Sequence, residues 1–365
     1  MTSNQFPQLS AVDFFCGVGG MSLGLHNAGI NVLAGVDNAA DCRKTYETNI
    51  PGAKFIKHDI SRLSAPELER RLNLKRNDNS LIFAGCSPCQ FWSKIRTDKT
   101  KARRTAFLLH QFQKFISYFL PGFVVVENVP GLKKQKKHTI LPDFIEFLES
   151  QNYACADGVI NANHYGVPQS RIRYLLIATR LAEKIELPPA SSDQSLTVRS
   201  FIGAANGFQT IEAGHRDETT FLHTACSLSE ENLKRIKKTK KSGGDRTAWK
   251  DDPHLQIPAY RGRDDIFRDV YARMHWDRPA PTITTRFNSF SNGRFGHPEE
   301  DRAISIREGA TLQTFPKDFQ FSGKNLNTFA RQIGNAVPPE LARRIGEHIL
   351  KKISDGQNTH TRSRS

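Results

Sequence analysis

The feature that most restricts the fold of this chain lies in residues 11–37. Ala11-Val12-Asp13-Phe14-Phe15 is a short apolar run that reads as a buried strand. Cys16-Gly17-Val18-Gly19-Gly20 follows as a glycine-rich turn. Met21 to Ala28 then has helical spacing, with Leu23 and Leu25 apolar and Gly29 as its stop. Residues 30–36 make a second strand, ended by Asp37. Strand, glycine turn, helix, strand and acid is the order in which α/β proteins hold a nucleoside: glycines admit the ligand to the backbone, and the acid accepts ribose hydroxyls. A dinucleotide fingerprint would need glycine at position 22, where Ser22 stands, so a nucleoside without a pyrophosphate suits the turn better. A third strand, Lys54 to Lys57, again ends at an acid, in His58-Asp59-Ile60.

The next candidate for chemistry is Gly85-Cys86-Ser87-Pro88-Cys89-Gln90-Phe91-Trp92-Ser93, which follows the buried strand Leu81-Ile82-Phe83-Ala84. Its Cys-x-x-Cys fits a dithiol redox pair, half of a zinc site, a single nucleophile with a bystander, or two structural cysteines. No second such pair and no pair of histidines completes a zinc site, so no metal is expected. Further on, Phe107 to Leu120 is an amphipathic helix closed by Pro121-Gly122, and the β-branched strand Phe123 to Val126 runs into Glu127-Asn128-Val129. A carboxylate at the end of a buried strand requires a partner. Tyr153 to Ile160 and Arg173 to Ala178 form a further strand pair, and Arg171 and Arg173 alternate onto one face of the second.

Charge limits the partners. Lys and Arg number 52 against 37 Asp and Glu, which leaves +15 and points to a polyanion. The excess clusters at Lys94 to Arg104, at Lys133 to Lys137 and at Lys234 to Lys241. No apolar run approaches the ~18 residues that span a bilayer, and Met1 to Gln5 lacks a signal pattern. The expected setting is cytoplasmic, with the cysteines reduced and no membrane partner. After Leu187-Pro188-Pro189 the chain turns polar and irregular, and Tyr260-Arg261-Gly262-Arg263 and Asn292-Gly293-Arg294-Phe295 offer arginine interleaved with aromatics, suited to phosphates and base edges. The expected division is 1–184, 185–324, a returning segment at 325–352, and a polar, disordered tail at 353–365.

Taken in order, these motifs resemble the DNA (cytosine-5)-methyltransferases, in particular the compact bacterial enzymes of restriction-modification systems. The resemblance is carried by Asp13 to Gly20, Pro88-Cys89-Gln90, Glu127-Asn128-Val129, Gln169-Ser170-Arg171-Ile172-Arg173, Arg278 to Thr284 and Gly334-Asn335-Ala336-Val337, and it runs from about residue 11 to 345. Cys16 stands where alanine is more usual, and Arg103 to Phe107 matches its motif only approximately, so no contact is assigned there.

The resemblance implies an α/β fold, a Rossmann-like sheet of the S-adenosylmethionine-dependent methyltransferases with a smaller irregular target-recognition domain. Cys89 would be the nucleophile that adds to C6 of a flipped cytosine, with Cys86 given no role. Glu127 would meet N3 and the exocyclic amine, Arg173 would meet O2, and Arg171 would raise the thiolate fraction of Cys89. S-adenosyl-L-methionine would lie against Phe15, Gly17, Gly19, Gly20, Asp37, Asp59, Ile60, Pro88 and Asn335. Contacts to double-stranded DNA would come from Gln90, Ser93, Lys94, Arg96, Thr284 and Arg286. A monomer paired functionally with a restriction endonuclease is the implied setting. The rivals are a tRNA cytosine-5 methyltransferase, whose Cys-Phe-Thr tripeptide is absent here, a thiol oxidoreductase and a non-catalytic DNA-binding module.

Overall fold

A computed structural model describes residues 8–86, 99–130, 140–191 and 196–362, without the side chains of 99–106, 140 and 356–362. Two compact units emerge. The first comprises Met1–Asn161, Ile172–Ala190 and Ala336–Ser365; the second comprises Ala162–Arg171 and Ser191–Asn335.

In chain order the first unit contains β1 (Ser10–Phe14), α1 (Gly20–Asn27), β2 (Asn31–Asp37), α2 (Arg43–Asn49), β3 (Lys54–Lys57), α3 (Ala65–Leu72) and β4 (Leu81–Gly85). It continues with α4 (Lys99–Phe119), β5 (Phe123–Asn128), α5 (Ile140–Ser150) and β6 (Ala154–Asn161). Beyond β7 (Gln169–Ser170), which belongs to the second unit, come β8 (Ile172–Thr179) and, much later, the last helix. The strands form one seven-stranded sheet in the order β3-β2-β1-β4-β5-β8-β6. β1 to β5 are parallel, and β8 runs antiparallel to both β5 and β6. Strand order reverses between β1 and β4, the switch point where open α/β sheets leave a crevice beyond their strand ends.

The apolar runs read from the sequence are these strands, and their continuous burial follows from cover on both faces. One side of β1 and β4 is closed by α4. Its Phe112, Phe115, Ile116 and Phe119 are fully buried at helical spacing. Phe14 lies 5.1 Å from the rings of Phe83, Phe112 and Phe115. Gly85 ends β4 because a Cβ there would meet the Phe112 ring at 2.7 Å.

The second unit holds β7, α6 (Val198–Ile202), α7 (Glu230–Lys238), β9 (Ala280–Pro281), α8 (Ile306–Leu312) and α9 (Leu326–Asn335), and β7 pairs with β9 as a two-stranded parallel sheet. So little regular structure leaves many main-chain carbonyls to satisfy, and buried arginines do it. Arg273, Arg302 and Arg307 are among the largest fully buried side chains. Arg273 donates to the carbonyls of Ile236, Thr239, His297 and Glu300, and Arg307 to those of Thr220, Phe221, Pro316 and Phe319. These cations are internal struts, so the positive charge of this region overstates what it can offer a polyanion.

The division differs from the expected boundaries. Residues 162–171 join the second unit because β7 pairs with β9 and Gln169 donates to Leu312 and Gln313. Residues 326–335 belong there too, since Gln313 of that unit donates to the Ile333 carbonyl in α9. The chain re-enters the first unit at Ala336 and forms α10 (Pro339–Arg362). α10 packs closely on α1 through glycines: a Cβ on Gly24 would collide with Ala342 and the Pro339 carbonyl, and one on Gly346 with Ala28. α10 runs through most of the stretch expected as a disordered tail, because each residue added to an established helix gains a hydrogen bond. Among the described residues no helix is long and apolar enough to cross a membrane.

Candidate active site

The carboxyl ends of β1, β2, β4 and β5 carry the candidate chemistry of the first unit. β1 is followed directly by Phe15, whose φ of 62° is left-handed and strained for an aromatic residue. The Phe15 N–H donates to the Val36 carbonyl, which turns the chain over the end of β2. Asp37 then fastens the glycine turn: its Oδ2 accepts the Gly17 N–H at 2.9 Å and its Oδ1 the Ala39 N–H at 2.8 Å. Each oxygen keeps a second lone pair for a hydroxyl.

The three turn glycines differ in purpose. Gly17 has φ 52°, and a Cβ there would meet no atom of the described residues within 4 Å, so the main chain faces open space among them. Gly19 is needed for close packing on Tyr46 and Ile50, and Gly20 for the approach of the Val337 carbonyl. Of the three, Gly17 is the one whose missing side chain leaves room for a ligand. Asp59, expected beside the cofactor, is exposed and accepts from the Ser61 N–H and hydroxyl, whereas Ile60 is buried.

Asp13 was not among the expected site residues, although an acid inside an apolar strand was the signal for it. It is fully buried, and its Oδ2 accepts from the Ser22 N–H at 3.2 Å and the Ser22 hydroxyl at 2.7 Å. The same hydroxyl lies 2.9 Å from Tyr46 Oη. Burial, partly offset by the Ser22 hydrogen bonds and reinforced by nearby Asp37, pushes Asp13 up to about 7.

Glu127, near the end of β5, has the partner its position requires. Arg173 Nε on neighbouring β8 stands 3.0 Å from Glu127 Oε1, with both side chains nearly buried. The guanidinium N–H does not point along the contact, and among the described residues Oε1 has no aligned hydrogen-bond donor. The contact is therefore a charge pair that leaves the carboxylate able to accept a further hydrogen bond. The Cys86 N–H donates to the Phe14 carbonyl, so the chain leaves β4 between the glycine turn and Glu127. Pro88, Cys89, Gln90, Ser93, Lys94 and Arg96 lie outside the described residues.

Arg171 and Arg173 do not share a face. The chain changes sheets between β7 and β8, and the two arginines part with it. Arg171 is buried in the second unit, where it donates to the carbonyls of Ile283 at 3.0 Å and Gly334 at 3.2 Å. Gln169, to which no role was assigned, is fully buried beside it; its Oε1 accepts the Ile283 N–H at 3.0 Å. Thr284 and Arg286 are exposed on the following turn, and Asn335 is exposed at the end of α9.

One further cluster in the second unit has a metal-like composition: His297, Glu300 and Glu308. Arg302 already occupies it, donating to both Glu308 oxygens at 2.7 and 2.8 Å and to Glu300 at 2.8 Å. His297 Nδ1 accepts the N–H groups of Glu299 and Glu300, which puts the ring proton on Nε2, the atom that faces the carboxylates. A nitrogen carrying its proton is no ligand, and burial keeps the ring neutral.

Residues 9–351 match the profile of the C-5 cytosine-specific DNA methylases. The chain belongs to that family. As a member it is a DNA cytosine-5 methyltransferase, of the bacterial restriction-modification type. It is 37% identical to the type II methylase M.HgiDII of Herpetosiphon aurantiacus, covering 97% of this chain and 98% of that one. It is 33% identical to the type II methyltransferase M1.HphI of Haemophilus parahaemolyticus, over 94% and 87% of the two chains. Among solved structures it is similar in fold to one described as a prophage-encoded DNA modification methyltransferase from E. coli, with a TM-score of 0.72, 23% identity, and 95% and 100% of the chains covered. A Spodoptera frugiperda DNMT2 structure superposes with a TM-score of 0.61 at 15% identity, over 94% and 100%. These methyltransferase neighbours agree with the Rossmann-like sheet.

Proposed function

We propose that this methyltransferase modifies C5 of cytosine within a specific sequence of double-stranded DNA, with S-adenosylmethionine as methyl donor and Cys89 as covalent nucleophile. The observation that carries the reading is the Glu127–Arg173 pair, standing at the same edge of the sheet as the glycine turn and one strand away from the exit of β4. Cys89 follows Cys86 by three residues, and three residues of chain reach at most about 11 Å.

The residues of the turn suit S-adenosylmethionine. Open space beside Gly17 leaves room for its backbone-facing part, Asp37 keeps acceptor capacity for ribose hydroxyls, and Phe15 offers a partly buried ring. Asp59, Ile60, Pro88 and Asn335 complete the assignment. When bound, the cofactor supplies an electrophilic methyl on a sulfonium.

Cytosine C5 is too poor a nucleophile to take that methyl unaided. Addition of the Cys89 thiolate forms a bond at C6, opens the C5–C6 double bond, and moves electron density to C5 and towards N3 and O2. Glu127 binds the N3 and amine edge and Arg173 faces O2, so the charge that develops on the ring meets groups already in place. After methylation a base removes the C5 proton. The freed electron pair restores the double bond, and the C6–S pair leaves with sulfur. The target carbon is inaccessible within a stacked duplex, so the base is flipped out. Gln90, Ser93, Lys94 and Arg96 are assigned to one DNA-facing segment and Thr284 and Arg286 to another. The second unit is the target-recognition domain, the enzyme acts as a monomer, and a restriction endonuclease of the same specificity accompanies it in the cytoplasm.

Labelled methyl donor offered with duplex DNA and with tRNA tests the substrate. Label entering tRNA alone overturns the DNA reading, and bisulfite sequencing of DNA from an expressing host identifies the target. Cys89→Ser should abolish transfer yet leave DNA binding intact, whereas Cys86→Ser stays active. Duplex bearing 5-fluorocytosine should trap an adduct that maps to Cys89, because fluorine cannot leave as the proton does.

A further inference from the structure

Phe267 is the most exposed large apolar side chain among the described residues, with 65% of its surface open, and its φ of 50° is left-handed. An aromatic residue in that conformation has both exposed apolar surface and backbone strain against it, and such residues persist where the surroundings hold them for a purpose. The surroundings here are specific. Consecutive residues Asp245 and Arg246 clamp the chain on both sides of Phe267. Arg246, itself buried, donates to the carbonyls of Arg263 and Ile266, the latter directly before Phe267. Asp245 Oδ2 accepts from Arg268, directly after it, through Nε at 3.0 Å and Nη2 at 2.7 Å. The Arg246 guanidinium also stacks 4.8 Å from the Tyr260 ring, and the Val270 N–H closes a turn onto the Phe267 carbonyl at 3.0 Å.

The charge around the ring is sorted as well. Asp264 and Asp269 are neutralised by Arg246 and Arg294. Exposed Arg261 and Arg263 enter no ion pair among the described residues; of the exposed acids beside them, Asp269 is paired with Arg294 and Asp265 enters no ion pair among the described residues. The ring is thus rigidly presented beside cations that are available to phosphates.

We infer that Phe267 is a preorganised DNA anchor of the second unit, an apolar wedge that packs against a base of the duplex while Arg261 and Arg263 meet its backbone. The inference rests on the reading of the second unit as the target-recognition domain and adds a residue that determines affinity there. An aromatic wedge against a base and cations on the flanking phosphates is a recurrent mode of duplex contact.

The test uses the full-length protein and a labelled duplex carrying the sequence that bisulfite sequencing identifies. Phe267→Ala should weaken duplex binding about five- to a hundredfold, the range of base–aromatic stacking, with cofactor binding unchanged by calorimetry. Phe267→Trp should stay near wild type, since a flat ring is restored. Leu181→Ala, at an exposed apolar residue of the first unit, should bind DNA normally. A benzoylphenylalanine placed at 267 should crosslink to the duplex. Wild-type affinity in Phe267→Ala overturns the inference. So does a crosslink to a second copy of the chain with none to DNA, or a change in oligomeric state as the sole effect. Failure of the wild-type protein to methylate any duplex would instead overturn the proposed reaction, and binding and crosslinking to a random-sequence duplex would then judge the anchor separately.

Discussion

Arg173 Nε stands 3.0 Å from Glu127 Oε1, and this joins a residue of parallel strand β5 to one of antiparallel strand β8. The pair answers two needs at once. A nearly buried carboxylate gains a counter-charge, and the misaligned N–H leaves the carboxylate oxygen able to bind a substrate donor. Glu127→Gln should lower single-turnover methyl transfer by about 10²–10⁴-fold, the usual scale for a positioned acid-base group. Cofactor affinity should hold. Arg173→Lys, which keeps the charge and loses the planar fork, should fall between the two. Unimpaired transfer by Glu127→Gln would remove Glu127 from the chemistry.

The glycine turn makes a second prediction. Gly17→Ala meets no atom of the described residues within 4 Å but must hold φ at 52°, so the protein should fold with a loss of about 1 kcal/mol. Its loss of S-adenosylmethionine affinity should be larger than that stability loss, as measured by calorimetry. Gly20→Ala collides with the Val337 main chain and should lower the melting temperature more than Gly17→Ala does. Equal effects of the two on stability would contradict the division of roles.

Asp13 links pH to stability. Its carboxyl is pushed from 3.8 to about 7 in the fold, so the native protein holds a proton that the unfolded chain releases near pH 4. The favourable contribution is complete below pH 4 and is lost as pH rises through 7, a span worth about 4 kcal/mol. Asp13→Asn keeps the shape and the acceptor for Ser22 and should remove this slope, so that it gains on wild type as pH rises from 4 to 7. Parallel pH profiles of denaturant midpoints for the two proteins would disprove the assignment.

The Arg302–Glu308 pair predicts the opposite pH behaviour. Burial raises Glu308, but the Arg302 charge and hydrogen bonds overcome it and hold the carboxyl at about 2. Its stabilisation is present above pH 4.5 and is lost as pH falls through 2. Glu308→Gln leaves buried Arg302 with Glu300 as its remaining counter-charge and should cost less than the about 3–5 kcal/mol of a fully unpaired buried charge. The double replacement Arg302→Met with Glu308→Leu should recover much of that. A double variant as unstable as Glu308→Gln would show that the pair does more than neutralise itself.

Much of this was legible in the residues. The strands at 11–15, 30–36, 81–84 and 123–126 appear nearly at those bounds, because each is a short apolar run covered on both faces, and 54–57 appears as the edge strand of the sheet with only Phe55 and Ile56 buried. Asp37 and Glu127 were legible for the same reason, as charges at the ends of such runs. The arginines were not. Arg171, Arg173, Arg273, Arg302 and Arg307 look alike in sequence. Yet one pairs with a candidate catalytic acid, while the others donate to main-chain carbonyls of an irregular unit.

By itself, then, the sequence determined the parallel sheet, the glycine turn and the order of the motifs, since apolar periodicity and backbone freedom are local properties. It also carried the family. Which acids and cations meet was decided by tertiary structure alone. A charge finds its partner through the strand order of the sheet, as Glu127 finds Arg173 across β5 and β8, and through the close approach of distant segments, as Gly20 admits Val337. Phe267 makes the same point from the surface: nothing in its sequence neighbours shows that Asp245 and Arg246 hold it exposed.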